Sequence, residues 1–77
     1  MVRDKIAEIA AQISGFDAQE LIKSEDFIEE FFINSLKEMM IFERVENEFD
    51  VSIDIDKYYK DVRNINKLAA LVEKLIK

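Results

Sequence analysis

The stretch Ser35 to Phe49 keeps a helical hydrophobic period and starts at a capping signal, Asn34. Met39, Phe42, Val45 and Phe49 recur at steps of three, three and four, and Ile41 borders them. This spacing predicts a helix whose core face is that stripe. Leu36 and Met40 fall off the stripe. At about 100° per residue they lie together near the Ser35 end, and Glu38, Glu43, Glu46 and Glu48 spread around the polar side. The side-chain oxygen of Asn34 can accept an amide N–H that has no partner inside the first helical turn. Ser35 then occupies the first helical position, beside the unpaired N–H groups and the positive end of the helix dipole. A phosphodiester attached to its hydroxyl is electrostatically favoured there.

Ser35 is a poor candidate for a catalytic serine. The chain contains no histidine and no cysteine, so it holds neither a Ser–His nor a Cys–His pair. The usual ligands of zinc, copper and iron–sulfur sites are missing as well, which leaves carboxylates and hard cations. Asp50, Ser52, Asp54 and Asp56 alternate like the start of a calcium-binding helix–loop–helix. However, Ile55 takes the position where the sharp turn needs glycine, and Asp61 stands where a bidentate glutamate closes the site. No catalytic residue and no metal site are expected, so a carrying, binding or interaction protein is favoured over an enzyme.

Seventy-seven residues suit a single domain spanning 1–77. A core this small supplies only about 3–5 kcal/mol, and with no disulfide helix packing must provide it. Hydrophobic residues make up 49% of the chain, enough for a folded core. Proline is absent and glycine occurs once, which fits helices and disfavours a many-turned sandwich or barrel. The net charge of −6 repels phosphate backbones and anionic lipid, so nucleic acid and membrane are not expected partners. Basic protein surfaces are. No apolar run reaches membrane-spanning length and no signal-peptide pattern opens the chain, so a monomer in the cytoplasm is expected.

Val2, Ile6, Ile9 and Ile13 mark a first amphipathic helix, with Gly15 suited to close it in a left-handed conformation and Phe16 to fold back on its last turn. Residues 17–34 read as a long connection across the bundle. Helical turns are expected from Asp17 to Ile22 and from Glu25 to Glu30, because Phe27, Ile28, Phe31, Phe32 and Ile33 are too apolar for a solvated loop. Val51, Ile53 and Ile55 alternate with polar residues, the pattern of a half-buried extended connector. Lys57 to Asp61 reads as a short helix. Asn64 can cap a last helix, whose apolar face runs from Ile65 through Leu68, Ala69, Leu71, Val72 and Leu75 to Ile76. The expected fold is all-α: a small four-helix bundle of three main helices and one short one, with a long first loop.

This order of helices, together with Phe27-Ile28-Glu29-Glu30-Phe31-Phe32-Ile33-Asn34-Ser35-Leu36, resembles the acyl carrier protein family. In that family a long first loop ends in an Asp-Ser-Leu motif at the start of the second helix. Val45-Glu46-Asn47-Glu48-Phe49-Asp50-Val51-Ser52-Ile53 resembles the acidic helix end and the Phe-Asp-Ile connector that follow. The resemblance implies that Ser35 receives 4′-phosphopantetheine from coenzyme A through a phosphopantetheinyl transferase. It implies that the arm then carries acyl groups as thioesters between enzymes of fatty-acid, polyketide or related biosynthesis. An aminoacyl, D-alanyl or peptidyl cargo fits the same resemblance. An unmodified acidic interaction module is the reading from a different class.

Three features, at four residues, depart from the family pattern. Asn34 replaces the usual Asp, keeping the cap and losing a charge. Phe32 stands where glycine is common, so the loop is expected to differ locally and to leave Phe32 for a partner or a cargo chain. Lys37 and Met40 occupy positions where acids are common. These departures imply a specialised carrier. Its loading and thioester-using enzymes, with basic docking patches, would read Leu36, Met40, Glu43 and Glu46.

Overall fold

A computed structural model of the chain describes residues 1–76. Five helices and one short 3₁₀ turn account for its regular structure, and no strand occurs among the described residues. Helix α1 (Val2–Ser14) is followed by two short helices, α2 (Ala18–Lys23) and α3 (Phe27–Glu30). Helix α4 (Ser35–Phe49) comes next, then a 3₁₀ turn at Asp61–Arg63 and helix α5 (Ile65–Ile76). The result is the small all-α bundle that the hydrophobic periods predict.

Local chemistry sets the element boundaries. Four helices begin on a side chain that accepts an N–H of their own first turn. Asp17 accepts from Glu20, Asp26 from Glu29, Asn34 from Lys37 and Asn64 from Lys67. Helix α1 ends at Gly15, whose φ of 82° is left-handed and whose N–H returns to the Ala11 carbonyl. Helix α4 ends on Asp50 in the same left-handed region, with the Val51 N–H on the Glu46 carbonyl.

Helix α1 is the hub and packs against α5, α2 and α4. Its buried Ile6, Ala7, Ile9 and Ala10 meet Leu21, Phe27, Ile41, Val45, Leu68 and Val72 in one core. Phe27 and Phe42 fill that core. Burying a side chain of this size is worth about 1.5–3 kcal/mol, which is why short segments such as α3 hold their place.

Several expectations need correction. Met39 is not core. It is exposed, and Ile41 beside it is fully buried, because the buried face of α4 runs through Ile41, Phe42 and Val45. The Phe16 N–H returns to Ser14 Oγ at the end of α1, at 3.2 Å, while its ring meets that of Phe31 at 4.9 Å, tying the start of the first loop to its end. Lys57–Asp61 is not a continuous helix. Single helical turns link Tyr58 to Asp54 and Val62 to Tyr58, and regular structure begins only with the 3₁₀ turn. On α5 the buried face stops at Val72; Leu75 and Ile76 are exposed.

Candidate functional site

Asn34 closes the approach to α4. Its Oδ1 accepts the Lys37 N–H at 2.8 Å and its carbonyl accepts the Glu38 N–H at 2.9 Å. Ahead of these bonds, the amides of Ser35 and Leu36 have no acceptor within the helix. Ser35 is exposed at this position. Its hydroxyl therefore stands in water at the positive end of a 15-residue helix.

The turn that delivers Ser35 is built on Phe32. Phe32 has φ of 54°, in the left-handed region that favours glycine. Its N–H donates to the Glu29 carbonyl at 3.2 Å, and the Ile33 N–H donates to the Ile28 carbonyl at 2.9 Å. These two bonds are the Schellman closure of α3, and Ile28 and Ile33, both buried, make its accompanying apolar contact. The loop thus keeps the glycine conformation with phenylalanine in it, against the expectation of a local difference. The aromatic ring is 92% exposed, so packing does not offset the backbone cost.

A groove of about 600 Å³ opens along α4 from Ser35. Leu36, Met39, Met40, Phe42 and Ile55 give it an apolar lining. The last of these comes from the connector after α4, which the bundle holds in place through buried Ile53. Glu38, Glu43 and Glu46 also border the groove, but two of them face inward. Glu46 Oε2 accepts the Ile53 N–H at 2.7 Å. Glu38 Oε2 takes Arg63 Nη1 at 3.3 Å. Of the three, Glu43 is exposed, whereas Glu38 and Glu46 are half-buried.

Arg63 also donates from Nε to Asp26 Oδ2 at 2.9 Å, so one guanidinium joins the cap of α3 to the first turns of α4. Partial burial opposes the Asp26 charge. The Glu29 N–H, the Arg63 hydrogen bond and the Arg63 charge outweigh it and hold the carboxyl below its usual range.

Of the residues singled out in the sequence, Ser35, Leu36, Met40, Glu43 and Glu46 come together along the groove, and Asn34 caps the helix that carries them. Phe32 lies outside the groove lining, in the preceding turn. Met39 is expected in the core and not at the site, and the Arg63 node is not expected at all. Met39 lies about 120° around the helix from Val45, at the edge of the stripe that the spacing predicts, and the structure leaves it exposed. Arg63 is one of several cations between Lys57 and Lys67, and nothing in that run names its distant partners.

A family model described as phosphopantetheine attachment site matches residues 4–72. No curated protein and no solved structure matches the chain.

Proposed function

The chain belongs to the phosphopantetheine attachment family of acyl carrier proteins, and from that premise we propose that Ser35 is the residue to which the 4′-phosphopantetheine is joined. The observation that carries this reading is the placement of Ser35: exposed, at the capped start of α4, and at the mouth of an apolar groove.

The residues present suit the group. The Ser35 and Leu36 amides and the α4 dipole favour its phosphodiester. The groove offers apolar surface beside the attachment point for a flexible arm. The bound group supplies a terminal thiol that holds cargo as a thioester. The chain itself does what its residues allow. It presents one hydroxyl to a transferase, keeps the anchored phosphate in a favourable field, and offers α4 to successive partners. With no histidine or cysteine to pair with a serine, the chemistry on this reading belongs to those partners.

On this reading residues 1–77 form one carrier domain, monomeric and cytoplasmic. It shuttles acyl groups between enzymes of fatty-acid, polyketide or related thioester biosynthesis. Its contact set is Leu36, Met40 and Glu43 on α4, with Phe32 ahead of them. Glu46 supports the connector through Ile53 and contributes less to docking than its sequence position suggests.

The test is labelling by a fluorescent coenzyme A analogue with a broad-specificity phosphopantetheinyl transferase. Wild type should fluoresce in a denaturing gel and Ser35→Ala should not. Equal labelling of both proteins would move the attachment point elsewhere.

A further inference from the structure

We propose that the proteins acting at Ser35 dock on this chain mainly through apolar contact with Phe32, Leu36, Met39 and Met40, and that Glu43 is the main acidic contact on this face. The inference rests on the carrier reading and specifies its partner chemistry: an apolar depression with one basic residue at its edge, in place of a row of cations.

Four large apolar side chains surround Ser35 in sequence and are exposed: Phe32 at 92%, Leu36 at 67%, Met39 at 68% and Met40 at 45%. Leu36, Met39 and Met40 are separated by three and four residues, so they share one side of α4 and line one groove with Ser35. Exposed apolar side chains grouped in this way mark an interaction surface when nothing in the chain covers them. Phe32 adds a second kind of observation. A left-handed L-residue costs about 1–2 kcal/mol, and the exposed ring recovers little of that by burial. An aromatic kept at such a position, three residues before Ser35, implies a role outside the fold's own packing.

The charges point the same way. Glu38 is committed to Arg63 and Glu46 to the Ile53 amide. Lys37 places a positive charge on the exposed first turn. That leaves Glu43 as the groove-lining acid facing solvent. A second copy of this chain, itself at −6, is a poor occupant by charge. A partner with an apolar pocket and a basic rim is complementary. Methionine suits such a face because its flexible thioether adapts to more than one partner.

The experiment measures kcat/KM of a broad-specificity phosphopantetheinyl transferase on the full chain with coenzyme A, which carries no acyl cargo. An effect therefore reports protein contact and not contact with a bound chain. The variants are Phe32→Gly, the double variant Met39→Gln/Met40→Gln, and Glu43→Gln, each checked by its melting curve. The first two should lose about tenfold or more while melting near wild type or above. Glu43→Gln should lose no more than about threefold, as one rim charge. The proposal is overturned if Glu43→Gln is the damaging change and the apolar variants react like wild type. It is also overturned if sedimentation shows a dimer that Met39→Gln/Met40→Gln dissolves, because a second copy then covers the patch. Failure of wild type to be modified, beside a control carrier that reacts, removes the carrier reading and the inference together. The variant pattern bears on the inference alone.

Discussion

Arg63 Nε donates to Asp26 Oδ2 at 2.9 Å across 37 residues of chain. Both side chains are less than a third exposed, and Asp26 simultaneously caps α3. The pair therefore joins the loop that delivers Ser35 to the turn that precedes α5. Asp26→Asn should keep the cap and lose the ion pair, at about 1 kcal/mol at pH 7. The pH dependence follows from the lowered carboxyl. A depressed folded value gives stability that is present above the unfolded value, near 3.8, and lost as pH falls through the folded one. Urea midpoints of wild type and Asp26→Asn should thus differ at neutral pH and converge in acid below that window. A gap that persists in acid would assign the loss to something other than the carboxylate charge.

Phe32→Gly should not destabilise the protein. Glycine removes about 1–2 kcal/mol of left-handed strain and gives back about 0.5–1 kcal/mol through a freer unfolded chain. The expected net change lies between about zero and a gain of about 1.5 kcal/mol, read from urea unfolding. A loss of more than about 1 kcal/mol would mean that the ring stabilises the fold.

Asn34→Ala removes the acceptor for the Lys37 N–H. About 1 kcal/mol should be lost, with faster amide exchange at Lys37 than in wild type. Asn34→Asp retains the acceptor and adds charge at the positive end of α4, so its stability should match or slightly exceed wild type. Equal destabilisation by both changes would show that the bond to Lys37 is not what holds the first turn.

Glu46→Leu should be more costly than a surface change. Its Oε2 receives the Ile53 N–H at 2.7 Å, and that amide is left without this acceptor when the carboxylate is removed. A loss of about 1–3 kcal/mol is expected. The Ile53 amide should also lose protection from hydrogen exchange. Unchanged protection would show that another group serves the amide.

Much of this architecture is legible in the residues. The periods of α1, α4 and α5 identify the three long helices, and Asn34, Asn64 and Gly15 mark their boundaries through local chemistry. The caps Asp17 and Asp26 are not part of the sequence reading, although each precedes a glutamate by three residues, the spacing of a capping box. What escapes the sequence depends on distance. Whether Met39 or Ile41 faces the core is decided by which side of α4 the rest of the bundle covers. Glu38 and Glu46 look like solvated acids until Arg63 and Ile53 are brought beside them. Phe32 is the reverse case. The family's glycine signals a left-handed turn, and the two backbone bonds closing α3 enforce that turn even with phenylalanine in place.

The central claim is that Ser35 carries phosphopantetheine. The most direct measurement is intact mass after incubation with coenzyme A and a broad-specificity phosphopantetheinyl transferase, with Ser35→Ala alongside and a known carrier as control. Wild type should gain the mass of one phosphopantetheine and Ser35→Ala should gain none. No gain on wild type while the control reacts, or an equal gain on Ser35→Ala, would contradict it.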